Sequence, residues 1–277
     1  MKAAFVQFNP SYLDVEGNWN QVASLLADVD ADLIVLPELF TSGYFFQSEA
    51  DLAQMAEPIP EGPTTARLYE WAQATKATIV AGLAEQSGDA FFNSAAVVDS
   101  SGYRGTYRKV HLYYEEKTLF APGDLGFPVF EMRTPDELDY QLGVMICFDW
   151  YFPESARSLA LNGADVIAHP ANLVLPHCPD SMPVRARENH VFTITANRYG
   201  EERKGEKMLT FIGQSEICGP DGSILYRSDG AGDEIGQVDI DPHAARDRQI
   251  NAHNDIFADR RPDVYAASMA ARMRSSG

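Results

Sequence analysis

This 277-residue chain is short of several things, and each shortage narrows what it can be. It has three cysteines, Cys147, Cys178 and Cys218. An odd, sparse set is a poor disulfide framework and suits a reducing compartment, so a cytoplasmic location is expected. Positive charge is scarce: 22 Lys and Arg stand against 40 Asp and Glu, a formal net charge of −18. That balance argues against nucleic acid or an anionic membrane as partner, because both need a basic patch. A local cationic pocket is still allowed, and the plain reading is a well-solvated acidic surface. Long apolar runs are missing. The apolar part of the opening MKAAFVQFNP is too short for a signal segment and reads as a first strand. No window is long enough to span a bilayer. Phosphate-binding glycine patterns are missing too. No G-x-G-x-x-G follows the first strand, and no G-x-x-x-x-G-K-[ST] occurs, so nucleotide binding has little support.

What is present suits a globular α/β protein. Hydrophobic residues make up 45% of the chain and aromatics 11%, enough for a sizeable core. Strand-like and helix-like runs alternate. AAFVQF, DLIVLPEL and TIVAGLAEQ read as strands, the second as one buried on both faces. Residues 17–28 read as a helix with Trp19, Val22, Leu25 and Leu26 on one stripe, and TTARLYEWAQATK as another with Thr64 or Thr65 as N-cap. FFNSAAVVDSSGYRGTYRK reads as two strands joined by a Ser-Gly turn. YQLGVMIC, ADVIAHPAN and FTITANRYG are further strands. PESARSLALNG is a helix ended by Gly163, PVRARENHV a helical segment, and Cys178 is expected in a Pro-rich loop. GQSEICGPDGSILYRS is a hairpin, and EIGQVDID a last strand before a helical and extended tail. The alternation argues α/β, and the late hairpins favour a layered sandwich with mixed sheets over a doubly wound sheet. No linker-like stretch interrupts the chain, so a single domain over 1–277 is expected.

Three polar residues stand beside strand ends: Glu38 after DLIVLP, Lys109 after YRGTYR and Cys147 after GVMI. Functional groups in α/β folds gather at the carboxyl ends of strands. A Cys, a Glu and a Lys converging there would serve acyl transfer. The thiol needs a base, which Glu38 can be. The oxyanion needs donors, which the Lys109 ammonium and the Phe148 backbone N–H can be. Each residue also has a plainer reading: a core cysteine, a strand-end carboxylate, and one member of a basic cluster with Arg104, Arg108 and Lys117. His169, His177 and Cys178 match no usual zinc spacing, so no metal and no cofactor is expected.

The strings LPELF, YRKVHL, GVMICFDWYFPE and HPANL, in that order, resemble the nitrilase superfamily of carbon–nitrogen hydrolases. The likeness runs from Lys2 to the tail NDIFADRRPDVY. It implies a four-layer α-β-β-α sandwich and a Glu-Lys-Cys triad, which falls on Glu38, Lys109 and Cys147. Many members use a second glutamate after the lysine. Glu115 and Glu116 both stand there, and the match of EKTLFAPGD to the family's E-K-x-x-F-x-x-G-D favours Glu116. Tyr44, His111, Phe148 and Asn172 are candidates for substrate contact. The function so implied is hydrolysis of a small amide or N-carbamoyl compound through a thioester. Many nitrilases carry Cys-Trp-Glu where this chain has Cys147-Phe148-Asp149, which sets nitrile hydrolysis second. An acyltransferase and a non-catalytic binding protein are rivals of other classes. The resemblance also implies a homodimer or larger homo-oligomer, with the tail from about residue 245 to 277 at its interface.

Overall fold

A computed structural model of the chain describes residues 1–265. Contacts divide it into two units, Met1–Arg246 and a small one from Asp247 onward. In the first, β1 (Lys2–Gln7) leads through α1 (Val15–Leu25) to β2 (Leu33–Val35). Then come α2 (Glu49–Met55), α3 (Pro63–Thr75), β3 (Thr78–Ser87), β4 (Ala90–Asp99) and β5 (Gly102–Arg108). A second series follows: β6 (Val129–Arg133), β7 (Asp139–Val144), α4 (Pro153–Leu161), β8 (Val166–Ala171), α5 (Cys178–Asn189) and β9 (Phe192–Asn197). The hairpin of β10 (Tyr199–Lys204) and β11 (Lys207–Ile212) precedes β12 (Glu216–Cys218), β13 (Ile224–Arg227) and β14 (Glu234–Asp239).

Two six-stranded sheets form, ordered β14-β1-β2-β3-β4-β5 and β13-β12-β9-β8-β7-β6. Each has three parallel strands at its middle, β1-β2-β3 in one and β7-β8-β9 in the other, with antiparallel strands outside. Parallel strands are covered on both faces, which is why Leu33–Val35 and Val166–Ala171 are buried throughout. Alternation divides their side chains between two interfaces. Ala4, Val6, Ile34, Leu36, Ile79 and Ala81 face outward onto Trp19 and Val22 of α1 and Leu68 and Ala72 of α3. The residues between them face the other sheet. There the Phe5 and Tyr226 rings meet edge to face with centroids 5.6 Å apart, and the Tyr140 hydroxyl lies 3.0 Å from Thr78 Oγ1. α4 and α5 cover the outer face of the second sheet, where Gly143 of β7 leaves room for Leu159 of α4. The unit is the expected four-layer α-β-β-α sandwich.

Several boundaries differ from the sequence reading, for local reasons. α1 begins at Val15 because the Asp14 carboxylate accepts from Gly17 N at 2.9 Å and caps it. α3 is capped by Gly62, with Pro63 in its first turn, so Thr64 and Thr65 are not the N-cap. Glu57 accepts the Thr64 N–H instead, at 3.0 Å. β2 stops at Val35 because Pro37 cannot donate to a ladder. Cys178 lies in the first turn of α5 and is buried, not in a loop. Pro179 beside it sits in the first turn, where a helix tolerates proline. β6, α2 and the β10–β11 hairpin were not expected.

Among the described residues no helix is long and apolar enough to cross a membrane. The unit from Asp247 carries one short pairing, β15 (Gln249–Asn251) with β16 (Asn254–Asp255). Of the tail expected at an interface, residues 266–277 lie outside the described residues.

Candidate active site

Three strand ends deliver the expected residues. Glu38 follows β2, and its backbone carbonyl accepts from Asn172 Nδ2 at 2.8 Å. Gly82 of β3 passes so close that a Cβ there would come within 2.5 Å of Glu38 Cα, so only glycine fits. Lys109 follows β5, and its N–H donates to Asn93 O at 2.8 Å. Cys147 follows β7 and opens a 3-10 turn, Cys147–Tyr151, with φ of +43°. A non-glycine residue there is strained, and the surroundings must hold it. Asp149 does much of this. Its Oδ2 accepts from Ile146 N at 2.9 Å and from the Tyr107 hydroxyl at 2.7 Å. Its Oδ1 accepts from the His111 backbone at 3.1 Å and from the His111 ring at 2.8 Å. The Cys147 carbonyl accepts from His169 Nε2 at 2.9 Å. Burial lowers the His169 pKa to about 4, so the ring is neutral and its Nδ1 is left to accept from Thr195.

The charges form one buried cluster. Lys109 Nζ donates to Glu38 Oε1 and to Glu116 Oε1, each at 2.7 Å. The three side chains are 0%, 0% and 4% exposed, so water does not screen them. Asn93 Nδ2 donates to Glu38 Oε1 and the Tyr44 hydroxyl to Glu116 Oε1, both at 2.6 Å. Glu115 turns away to Lys204, at 2.8 Å, and Lys207. The structure thus brings Glu116, and not Glu115, to Lys109. Burial works against the Lys109 ammonium, but Glu116 and Glu38 outweigh it and hold its pKa above the ordinary value. One ammonium cannot neutralise two carboxylates. Burial, with Glu38 adding to it against the pull of Lys109, raises Glu116 to about 7. Burial and then the Glu38 charge push the Cys147 thiol well up, so it rests protonated.

Cys147 opens on a small cleft walled by Tyr113, Phe148, Trp150, Leu173, Val174 and Leu175, with Asn172 beside the sulfur. A larger groove lies at the other end of β7, by Asp139 and Gln141, away from this chemistry. Of the four candidates for substrate contact, Phe148 and Asn172 line the cleft and Tyr44 lies behind it on Glu116. His111 is stacked on Phe152 with ring centroids 3.7 Å apart, in an adjoining depression.

The family model for carbon-nitrogen hydrolases matches residues 2–249. The chain belongs to the carbon–nitrogen hydrolase family. A nitrilase of Pyrococcus abyssi is 49% identical over 268 residues, covering 96% of this chain and 99% of that protein. An N-carbamoylputrescine amidase of Arabidopsis thaliana is 33% identical, covering 85% of this chain and 83% of its own. Among solved structures, a variant of the amidase from Nesterenkonia sp. AN1 has a TM-score of 0.78 and 26% identity, with 96% of each chain covered. That variant carries the acetamide moiety of fluoroacetamide added covalently at its active-site cysteine.

In this carbon–nitrogen hydrolase four further residues, none of them among the site residues expected from the sequence, support the cluster and the Cys147 turn. Asn93, Asp149 and His169 are described above; His169 had drawn notice only as a metal candidate, and Asp149 only as part of the Cys147-Phe148-Asp149 string. Among the described residues no group of three or more His, Cys, Asp or Glu is placed to hold a metal. Glu202 of β10 is the fourth. Its carboxylate accepts from Tyr44 N at 3.0 Å and Phe45 N at 2.6 Å and pairs with the buried Arg198 guanidinium. Arg198 is anchored by Asn9 Oδ1 at 2.6 Å and lies over the Phe211 ring at 4.1 Å. Gly43 makes room for this carboxylate: a Cβ there would stand 2.7 Å from Glu202 Oε1. Asp149 had a local signal, since it stands in the turn that starts at Cys147. Glu202 had only its i,i+4 spacing to Arg198, because Tyr44 and Phe45 lie more than 150 residues earlier in the chain.

Proposed function

We propose that the enzyme hydrolyses a small primary amide or N-carbamoyl compound, with Cys147 as nucleophile, Glu38 as general base and acid, and Lys109 as electrophilic support. The observation that carries this is the buried Lys109 ammonium bridging Glu38 and Glu116 at 2.7 Å each, at the foot of the Cys147 cleft. As Sγ attacks the carbonyl carbon, its proton passes to Glu38. Lys109 and the Phe148 N–H stabilise the oxyanion. Collapse expels ammonia, which takes the proton from Glu38 and leaves a thioester on Cys147. Glu38 then takes a proton from water, whose oxygen attacks the thioester. The acid leaves, and the thiol is restored with that proton. Glu116 and Tyr44 hold Lys109 in place, and the scheme calls for no cofactor. We place the enzyme in the cytoplasm as a single-domain homodimer with its tail at the interface.

The hydrogen-bonding inventory favours an amide over a nitrile. Glu38 Oε2, Asn93 Oδ1 and Asn172 Oδ1 are buried acceptors without a donor. The amide orientations are forced, since both Nδ2 groups donate to oxygens that can only accept. A carboxamide brings two N–H donors to such acceptors and a nitrile brings none. Nitrile hydrolysis stays as a second reading, favoured by the relative at 49% identity named nitrilase. The deciding experiment measures ammonia release from amides, N-carbamoyl compounds and nitriles, with Cys147→Ala as control. Turnover of amides or carbamoyl compounds that vanishes in the variant is expected. Turnover of nitriles alone would overturn the amide assignment.

A further inference from the structure

The walls of the Cys147 cleft are the rings of Tyr113, Phe148 and Trp150 and the side chains of Leu173, Val174 and Leu175. No charged side chain lines the cleft, and those near the site are engaged with one another. Glu116 is held by Lys109, Glu115 by Lys204 and Lys207, and Arg185 by Glu188 at 2.8 Å. A carboxylate or ammonium on the acyl side of a substrate would leave water for aromatic and aliphatic surface, with no free counter-charge among these residues. Burying a charge without a partner is unfavourable, whereas apolar groups gain by the same move.

We infer that this site selects an uncharged, apolar or aromatic acyl group and rejects amides whose acyl chain ends in a carboxylate or an ammonium. The inference rests on the reading of Cys147 as the nucleophile. It adds a specificity that the reacting residues do not supply, because they touch only the carbonyl and the leaving amine. Leu173, Val174 and Leu175 follow directly on Asn172, so the segment that lines the cleft is tied to the residue holding the Glu38 carbonyl. The acyl chain then lies between that segment on one side and Phe148 and Trp150 on the other.

The test uses matched pairs that differ in charge and little in shape: pentanamide against gamma-aminobutyramide, and isocaproamide against succinamate. In each pair the neutral amide should show a kcat/KM roughly 100-fold higher, by ammonia release. A charged member turned over as well as its neutral match would overturn the inference and leave the hydrolase reading standing. No ammonia from any of the four, nor from benzamide or N-carbamoyl amines, would remove both. A half-buried position gives a second check. Leu175→Asp should raise gamma-aminobutyramide turnover relative to pentanamide by about tenfold or more, on the same physical ground. An unmoved ratio in a folded variant would overturn the placement of the acyl chain against this segment.

Discussion

The two halves of the sandwich run through one strand plan and do different things with it. In each, three parallel strands carry helices on their outer face and end in an antiparallel pair, β4-β5 in the first and β12-β13 in the second. The turn after β2 presents Glu38, and the matching turn after β8 presents Asn172, which grips the Glu38 carbonyl. The turn after β7 presents Cys147, while the matching turn after β1 presents Asn9, which anchors Arg198. The first half therefore contributes charge, held in place by opposite charge and buried hydrogen bonds. The second contributes a backbone bent into a strained turn, held by Asp149 and His169. Function and folding are coupled tightly in the first half and loosely in the second.

Substitutions can break or sharpen that contrast. Cys147→Ala should abolish ammonia release, by more than about 1000-fold, while the thermal midpoint shifts little. In the proposed mechanism the small side chain carries the chemistry, whereas the turn rests on contacts of the backbone and of Asp149. A large loss of stability would erase the distinction between the halves. Lys109→Ala should fail in both respects. It leaves Glu38 and Glu116 buried without their cation, at a cost of about 3–5 kcal/mol in urea unfolding. An unfolding curve like that of the parent would show that the carboxylates relax or take up protons freely.

Smaller effects probe the supports. Glu202→Gln keeps the shape but leaves Arg198 without a counter-charge, so roughly 2–3 kcal/mol of stability should go. Through Tyr44 it should also lower kcat. A fall in stability with unchanged kcat would confine Glu202 to the scaffold. The smallest effect is on pH dependence. The pKa of Glu116 lies near 7 when folded, above its unfolded value. Between the two values the folded state holds a proton that the unfolded state has lost, so stability falls as pH rises through this window. Glu116→Gln should flatten that slope by on the order of 1–2 kcal/mol in melts taken from about pH 5 to 8. His169, neutral when folded, pulls the other way in parent and variant alike, so an identical pH slope in the two proteins would mean that Glu116 is ionised throughout.

Much of the site was legible because its principal members lie at strand ends inside short, distinctive strings. Glu38 follows an apolar strand and a proline, Lys109 follows a strand, and Cys147 sits where a strand meets a helix. The Glu115–Glu116 ambiguity was only half legible. Two adjacent carboxylates in a turn point in different directions, and a partner some distance away in the chain decides which one is buried. The β10–β11 hairpin was not legible at all. Its charged residues show no apolar stripe that would mark a buried element, yet Glu202 is buried within it. Asn93 lay inside a strand that read simply as a strand.

The sequence by itself determined the alternation of strands and helices, the identity of the charged and nucleophilic side chains, and the strand ends that carry them. These follow from residue periodicity and from short-range turn chemistry, which act over a few residues. Only the tertiary structure decided that Lys109 bridges Glu38 and Glu116, that Glu115 faces the rim, and that Arg198 and Glu202 brace Tyr44 from a distant hairpin. Those facts depend on how two sheets stack and which loops close over their ends. A buried charge is tolerated only where packing supplies its partner, and packing joins residues that no local pattern connects.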